Sequence, residues 1–358
     1  MKTTKDMKVQ DEQVKLHQEQ KVDPSHIMQV GLGFWASKTL LTAVKLELFT
    51  KLALRPLTAK EIKYEICLNE RGLYDFLDTL VALGFLQKSG NKSTAVYSNS
   101  TETNLFLDKN KLSYVGGILE MANNRLYPFW NFLEEALRTG TPQNEIRTGR
   151  TTLFEEIYAD IDKTREFVNA MGGIQIGNFV TFAREFDFSD YHTLCDIGGA
   201  GALLSAHVAT HNPHMKCISF DLPAVAPIAL ENISKMGLAA NINIHSGDFF
   251  TEPFPKADVI TMGNILHDWG IKDKKMLIGK AYEALPKGGA LVAIENIIDD
   301  ERRQNAFGLM MSLNMLIETP DGFDFTAADY NGWALEAGFS KTFLIPLTGP
   351  SSAVIAVK

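Results

Sequence analysis

The sequence predicts an α/β fold in which a doubly wound, mostly parallel sheet follows a mainly helical winged-helix domain. From residue 193 onward, short apolar runs alternate with amphipathic stretches, which is typical of βαβ units. Before residue 110, three helical stretches precede two strand-like runs. The chain has 358 residues, 45% of them hydrophobic, which is enough for two buried cores. We therefore expect four parts: a flexible arm at 1–24, a winged-helix domain at 25–110, a helical connector at 111–188 and the sheet domain at 189–358.

Composition and charge exclude several classes of protein. A net charge of −8 and a pI near 5.6 argue against nucleic acid as a partner. Three widely spaced cysteines, Cys67, Cys195 and Cys217, indicate neither a disulfide framework nor a zinc site. The first residues lack the apolar core of a signal peptide, and no apolar run reaches the ~18 residues that span a bilayer. We expect a cytoplasmic protein without a membrane partner.

The first domain reads as a dimerisation scaffold. From Ile27 a helical stretch is apolar around most of its circumference, which suits burial between two subunits of a homodimer. Thr58 and Glu61 fit a capping box, and a helix at 71–83 ends before Gly84 and a predicted hairpin. A winged helix can also bind DNA, but that needs a basic recognition helix, and 70–83 carries three acids against one arginine. The scaffold is the stronger interpretation.

The connector is predicted to be helical, with an amphipathic helix at 126–137 and further helices at 154–158 and 167–180. Met121, Asn124 and Trp130 are candidates to line a substrate cavity. Methionine and aromatic residues at helical spacing belong more often to a core than to a pocket, so the core alternative stays open.

The sheet domain contains seven predicted strands. They lie at 193–197, 216–221, 242–246, 259–264, 290–295, 342–346 and 353–357. The last two should pair as an antiparallel hairpin at one edge. In such a sheet, ligands bind beyond the carboxyl ends of the strands.

Three acids lie at the ends of the first three predicted strands: Asp196, Asp221 and Asp248. The small residues at 198–202 let the backbone approach a ligand, and an acid at the end of the second strand is the usual partner of a ribose diol. Asp248 can accept a hydrogen bond from an adenine amine while Phe249 packs on the ring. A single aspartate is often only a cap or turn residue, but three at successive strand ends indicate a nucleoside-containing ligand.

The fourth strand is followed by His267, which we expect to lie in the same crevice. Its reference pKa of about 6.5 suits proton abstraction near neutral pH. Glu295, after the fifth strand, and Asp324 are candidates to hold the imidazole in one tautomer. A lone histidine is more often structural, and Asn264 can be either a pocket residue or a strand-end cap.

These motifs together resemble the S-adenosylmethionine-dependent small-molecule O-methyltransferases, the group that includes caffeic acid and acetylserotonin O-methyltransferases. The resemblance rests on six motifs: Asp-Ile-Gly-Gly-Ala-Gly at 196–201, Asp-Leu-Pro at 221–223, Gly-Asp-Phe-Phe at 247–250, His-Asp-Trp at 267–269, Leu-Pro-Lys-Gly-Gly at 285–289 and Glu-Ala-Gly-Phe at 336–339. It implies a Rossmann-like methyltransferase sheet, an N-terminal dimerisation domain, secondary metabolism and a reaction without a metal. His267 would be the general base, flanked by Glu295 and Asp324.

The resemblance also implies two sets of binding residues. The cofactor set is Asp196, Gly198, Gly199, Gly201, Asp221, Leu222, Asp248, Phe249 and Trp269. The helix at 305–318 would form one wall of the acceptor pocket. Met311, Asn314 and Met315 on this helix join Met121, Asn124, Trp130 and Asn264, which the residue pattern suggested, in the predicted substrate set. A plain core helix explains the methionine pattern nearly as well.

The chain departs from the family pattern in its first loop, which has Ala200 and Ala202 where the family usually has glycines. It also has Gly263 where plant members have lysine, and Asp324 where glutamate is usual. Three other functions stay open. They are methylation of a thiol, thioether or nitrogen, a non-methylating member that only binds the cofactor, and a winged-helix regulator that senses a metabolite.

Overall fold

The computed structural model describes residues 22–91, 94–111, 113–148 and 153–358. The predicted arm at 1–24 therefore lies mostly outside the described residues. The chain divides into two compact units, Met1–Ser100 and Thr101–Lys358. In the described part of the chain, no helix combines the length and the apolar character needed to cross a membrane.

The first unit contains five helices and a small antiparallel sheet in its described residues. The helices are α1 Ser25–Gly31, α2 Gly33–Lys45, α3 Leu48–Leu54, α4 Ala59–Glu65 and α5 Leu73–Ala82; the strands are β1 Leu57–Thr58, β2 Leu86–Ser89 and β3 Val96–Asn99. The strand order is β1-β3-β2, so the predicted hairpin is confirmed. The capping box is confirmed too, because the Thr58 hydroxyl accepts from the Glu61 N–H while the Glu61 carboxylate accepts from the Thr58 N–H at 2.7 Å.

Apolar side chains on α1 and α2 are exposed within this unit. Ile27 is 74% exposed and Trp35 is 61% exposed, and Val30 and Phe34 lie more than half exposed beside them. Contiguous exposed apolar side chains mark interaction surfaces.

Before its sheet, the described part of the second unit contains six helices. They are α6 Thr101–Phe106, α7 Gly116–Met121, α8 Tyr127–Trp130, α9 Leu133–Thr139, α10 Leu153–Tyr158 and α11 Ile161–Glu185, with a π-helical turn at Ala122–Leu126 and a 3₁₀ turn at Glu145–Thr148. The predicted single helix at 126–137 is wrong. Pro128 has no N–H to donate, and the Phe132 N–H bonds to the Phe129 carbonyl at 2.9 Å, so the chain tightens and restarts at α9. The helix predicted at 167–180 is the middle of the longer α11.

The sheet has seven strands in the order β6-β5-β4-β7-β8-β10-β9. They are β4 Thr193–Ile197, β5 Lys216–Asp221, β6 Ile242–Ser246, β7 Val259–Gly263, β8 Ala290–Glu295, β9 Lys341–Pro346 and β10 Ser352–Val357. The first five in sequence are parallel to their neighbours, and β10 lies antiparallel between β8 and β9. This confirms the doubly wound sheet and its terminal hairpin.

Helices cover both faces of this sheet and bury it. They are α12 Leu203–His211, α13 Ala226–Lys235, α14 Ile271–Ala284, α15 Ala306–Glu318 and α16 Ala327–Ala337. One core packs α11, α12 and α13 on one face, and a second core packs α14 and α16 on the other. The carboxyl ends of the parallel strands are left as one crevice. Strand β7 ends at Gly263, one residue earlier than predicted, because Asn264 adopts a left-handed φ of 53°.

Candidate active site

The loop after β4 is held in a left-handed backbone conformation. Gly198 has φ 69°, and Ala200 and Ala202 have φ 45° and 60°. Left-handed backbone costs an L-residue roughly 1–2 kcal/mol. A Cβ on Gly198 would lie 2.2 Å from Cδ1 of Ile265, so only glycine fits there. The two alanines therefore place strained backbone in this loop, Ala202 in the buried core at the start of α12 and Ala200 beside Asp221.

The other two glycines of this loop are required by protein neighbours. A Cβ on Gly199 would lie 2.3 Å from the Ser219 hydroxyl, and one on Gly201 would lie 2.8 Å from Nδ2 of Asn232. That amide donates to the Gly201 carbonyl at 3.0 Å. The glycines thus let β5 and α13 pack against the loop and fix its path.

Asp221 is fixed to the same loop by backbone hydrogen bonds. Its Oδ2 accepts from the Ala200 N–H at 2.8 Å and its Oδ1 from the Leu222 N–H at 2.7 Å. Burial raises the pKa of Asp221 to about 6, although these two bonds oppose the shift. The carboxylate is therefore mainly ionised at neutral pH, and each oxygen retains a lone pair for a ribose hydroxyl.

Asp196 lies deeper, beneath the loop. It is 4% exposed and accepts a hydrogen bond from the Thr261 hydroxyl at 2.7 Å across the β4–β7 pair. Burial raises the pKa of Asp196 to about 7. The geometry makes Asp196 a support of the loop.

Aromatic rings line the crevice beyond β6. The Trp269 ring centroid lies 5.9 Å from that of Phe249 and 4.6 Å from that of Phe250, both edge to face. Phe154, from α10, lies 6.0 Å from Trp269 on another side. Asp248 accepts from the Phe250 N–H at 2.8 Å, which fixes the turn that carries these rings. Among the described residues, the buried Nε1 of Trp269 has no hydrogen-bond partner.

Sequence reasoning missed Tyr158, on the helix that carries Phe154. Burial raises the pKa of its phenol, and the negative charges of Asp221 and Asp268 raise it further. The side chain therefore lies near both the cofactor acid and the turn that holds His267. The segment was predicted to be helical, but its sequence does not indicate which face of the helix lies toward the crevice.

His267 lies in a 3₁₀ turn, Leu266–Asp268, directly after β7. It is 5% exposed. Its Nδ1 lies 3.6 Å from Oε2 of Glu295 and 3.5 Å from Oδ1 of Asp324, and its Nε2 lies 3.4 Å from Oδ1 of Asp268. The structure thus brings together the three residues that the sequence predicts as catalytic and adds a third carboxylate, that of Asp268.

Backbone contacts fix two of these carboxylates. Oε1 of Glu295 accepts from the N–H groups of Leu266 and His267 at 3.0 and 3.3 Å, so β8 holds the turn directly. The Asp324 backbone N–H donates to the Ser312 hydroxyl on α15 at 3.2 Å. Oε2 of Glu295 and both oxygens of Asp324 are buried and make no hydrogen bond within the described chain. They are free to stabilise a charged imidazole.

The carboxylates decide the proton affinity of the imidazole. Burial lowers the pKa of His267, but the three neighbouring carboxylates outweigh it and raise the pKa to about 10. Burial also raises the pKa of Glu295 to about 7 and that of Asp268 to about 6, while the positive imidazole opposes both shifts. The site therefore stabilises an imidazolium strongly, and in the free protein His267 carries its proton at neutral pH.

His267, Glu295 and Asp324 also offer one ligand atom each within 4.8 Å of one another. Buried carboxylates on both sides of one imidazole nitrogen equally serve to orient that ring. We assign no metal to them, and the metal-free reaction stays a prediction.

The predicted substrate residues divide by burial. Trp130, at the end of α8, donates from Nε1 to Oδ1 of Asn314 on α15 at 2.9 Å, which joins the two helices. Met121 and Met315 are buried, and Met311 is partly buried. Asn124 is exposed, whereas its neighbour Asn123 is buried.

Asn264 ends a chain of buried side-chain amides. The backbone N–H of Thr348 donates to Oδ1 of Asn178 at 3.0 Å, and Nδ2 of Asn178 donates to Oε1 of Gln175 at 2.7 Å. Nε2 of Gln175 then donates to Oδ1 of Asn264. A backbone N–H can only donate, so the direction of the chain is fixed and Nδ2 is the Asn264 atom left to donate in turn.

Comparison with known proteins identifies the family. Residues 130–340 match the O-methyltransferase domain family, and residues 28–109 match the O-methyltransferase dimerisation domain family. The chain belongs to the O-methyltransferase family. It is 37% identical over 335 residues to the tetracenomycin polyketide synthesis 8-O-methyl transferase TcmO of Streptomyces glaucescens, covering 94% of this chain and 97% of that protein.

Two further relatives add a solved structure with bound cofactor and a different methyl acceptor to the comparison. The human N-acetylserotonin methyltransferase in complex with S-adenosylmethionine superposes with a TM-score of 0.87 at 26% identity, covering 95% of this chain and 99% of that one. The N,N-dimethyltransferase OxyT of Streptomyces rimosus is 32% identical, covering 87% of this chain and 90% of that protein. The family assignment makes the chain an S-adenosylmethionine-dependent methyltransferase with that cofactor.

The crevice of this O-methyltransferase fits the cofactor. Asp221 can accept from a ribose diol, the 198–202 loop brings backbone close to it, and the aromatic rings around Trp269 offer a flat apolar wall. The buried, unpartnered Nε1 of Trp269 needs an acceptor that the described protein does not supply.

Proposed function

We propose that this protein transfers the methyl group of S-adenosylmethionine to a hydroxyl of a small aromatic metabolite, with His267 as the general base. The observation that carries the proposal is the buried His267, whose Nδ1 faces Glu295 and Asp324. TcmO carries 8-O-methylation of a polyketide in its name, which supports a hydroxyl as the acceptor.

The residues divide the work of the reaction. Glu295 and Asp324 favour a proton on Nδ1, which leaves the lone pair of Nε2 to take the proton of the acceptor hydroxyl. S-adenosylmethionine, when bound, supplies an electrophilic methyl group on a sulfonium. The acceptor oxygen loses its proton to His267 and gains the methyl group, and S-adenosylhomocysteine is the second product. The bound sulfonium also repels an imidazolium, so we expect it to lower the pKa of His267 from the value in the free protein.

We further propose the roles of the binding residues. Asp221 and Leu222 would hold the ribose, Asp248, Phe249 and Trp269 the adenine side, and the 198–202 loop the remainder of the cofactor. Trp130, Asn314, Met311 and Met315 would form the acceptor wall, which the Trp130–Asn314 hydrogen bond supports. A deformable methionine wall suits flat apolar rings.

The test uses two variants, His267→Ala and His267→Gln. Thermal-shift screening with S-adenosylmethionine and a panel of phenols, indoles, thiols and thioethers selects an acceptor, since a ligand that binds the native state stabilises it. We expect turnover to fall by about 10²–10⁴-fold in both variants while the Kd for S-adenosylmethionine stays within about 3-fold. The assay is run with and without a chelator, and we expect no difference.

Two outcomes would contradict the proposal. Unchanged turnover in both variants would show that His267 is not the base. Formation of an N-methyl product by the wild-type protein would instead support amine methylation, the second candidate, which the similarity to OxyT favours.

We also propose a homodimer formed through the first unit. The matched dimerisation domain and the exposed apolar side chains of α1 and α2 support it. Sedimentation should give twice the mass of the 39.7 kDa chain, and Trp35→Asp should shift the equilibrium toward monomer. A wild-type protein that sediments as a monomer would contradict this proposal.

A further inference from the structure

A buried lysine lies beside the carboxylates around His267. Lys274 lies in the first turn of α14 and has no exposed surface. Its Nζ donates to the carbonyl of Trp269 and lies 3.6 Å from the ring centroid of Phe323. A buried ammonium is costly unless opposite charges compensate it. Burial lowers the pKa of Lys274 to about 8, and Glu295, Asp324 and Asp268 oppose that shift.

Lys274 contacts both segments that carry catalytic groups. Trp269, whose carbonyl it binds, follows His267 by two residues. Phe323 and Phe325, whose ring centroids lie 3.6 and 5.8 Å from Nζ, are the two neighbours of Asp324. Lys274 therefore lies close to the residues on both sides of Asp324 and to a residue that shortly follows His267.

The two segments also pack directly against each other. A Cβ on Gly322 would lie 2.7 Å from the carbonyl oxygens of both His267 and Asp268. Gly322 therefore lets the two backbones come into close contact, and Lys274 joins the same two segments through Trp269 and Phe323.

The charge of Lys274 complements its contacts. The ammonium of Lys274 offsets part of the negative charge of the carboxylate cluster, and it opposes the rise in the pKa of Asp268. A less negative surrounding holds a proton on the imidazole less tightly. Without the lysine, His267 would keep its proton to a higher pH and would be a base over a narrower range.

We propose that Lys274 is a positioning residue for methyl transfer, which joins the His267 turn to the Asp324 segment and supplies the positive charge that keeps the imidazole available as a base. This rests on the proposed function, because it acts through His267. The other charged or titratable groups near this cluster are Glu318, paired with Arg125, and Tyr158. The substitutions below leave all three in place.

The experiment measures single-turnover methyl transfer by the full-length protein, saturated with S-adenosylmethionine, from about pH 6 to about pH 10. Lys274→Gln keeps a donor for the Trp269 carbonyl and removes the charge, and Lys274→Arg keeps the charge. The matched control is Lys275→Gln, which removes the exposed neighbour that pairs with Glu336 at 2.6 Å. In the plot of methyl-transfer rate against pH, the rate falls on the acidic side as His267 gains its proton. We expect the midpoint of that fall, the acidic limb of the profile, to move up by about 1 pH unit or more in K274Q only.

A double variant distinguishes the loss of the Lys274 charge from misfolding of the protein. Lys274→Gln combined with Asp268→Asn removes one charge of each sign, and we expect its acidic limb to return toward that of the wild type. A rate that falls by the same factor at every pH in K274Q, or a limb that moves equally in K275Q, would overturn the inference. An acidic limb that persists in H267A would overturn the proposed function instead.

Discussion

The two ends of the crevice differ in the chemical groups that form them. At the cofactor end, backbone N–H groups of Ala200 and Leu222 hold Asp221, and glycines let the loop pack. At the proposed catalytic end, the side-chain carboxylates of the turn after β7, of β8 and of the segment before α16 surround one imidazole, and Lys274 of α14 interacts with those carboxylates. We infer that substitutions at the cofactor end change affinity, whereas substitutions at the catalytic end change rate and its dependence on pH.

The largest expected effect is at the catalytic end. Glu295→Gln keeps an acceptor for the N–H groups of Leu266 and His267 but removes the charge that stabilises the imidazolium. We expect kcat to fall by about 10²–10³-fold with the Kd for S-adenosylmethionine unchanged. The control is Glu301→Gln on the surface. An equal loss of cofactor affinity in E295Q would erase the distinction between the two ends.

At the cofactor end, we expect a substitution to weaken cofactor binding and to leave the rate at saturating cofactor almost unchanged. In Asp221→Asn, the amide NH₂ must face one of two backbone donors, Ala200 N–H or Leu222 N–H, because only its oxygen can accept. We expect the Kd for S-adenosylmethionine to rise by roughly 10–100-fold, and kcat at saturating cofactor to stay within about 3-fold. Calorimetric titration measures the first and product analysis the second. A normal Kd would remove Asp221 from the cofactor site.

The pH dependence should separate the two ends within the wild-type protein. The pKa of Asp221 is about 6, so its protonation weakens cofactor binding only as the pH falls through that value. The pKa of His267 is raised to about 10 in the free protein, so kcat/KM should still rise as the pH increases from 7 to 9. Cofactor Kd over that same range should change only through His267, because a cofactor that lowers the pKa of His267 binds more tightly when the imidazole is neutral. A Kd that still changes between pH 7 and 9 in His267→Gln would contradict separate control.

The smallest effect is expected at the strained loop. Ala200→Gly removes the strain of left-handed backbone, which stabilises the folded state by roughly 1–2 kcal/mol. Glycine also gives the unfolded chain more conformational freedom, which opposes this gain by about 0.5–1 kcal/mol. We expect the free energy of unfolding in urea to increase by less than about 1 kcal/mol, and the Kd for S-adenosylmethionine to change less than about 3-fold. A clear loss of stability would show that the methyl group packs against something essential.

The sequence could predict the sheet and the catalytic trio for physical reasons. Buried strands are continuous apolar runs that end in polar residues, so the strand ends and the acids on them can be found by reading along the chain. His267 follows strand β7 and Glu295 ends the neighbouring strand β8, so their proximity follows from the topology. Lys274 could not be found in this way. It is one of three lysines at 272–275, and only tertiary packing decides which of them is buried.

The amide chain through Asn178 and Gln175 has a consequence for selectivity at Asn264. The backbone N–H of Thr348, in the turn between β9 and β10, can only donate, and this fixes the donor and the acceptor in each of the three hydrogen bonds. Asn264 could exchange its donor and acceptor atoms only if all three hydrogen bonds broke. The Nδ2 group of Asn264 is therefore a hydrogen-bond donor whose orientation is set from the turn at the edge of the sheet. If Asn264 lines the acceptor pocket, as the sequence predicts, we expect a carbonyl or ether oxygen to be preferred beside it over an ammonium group.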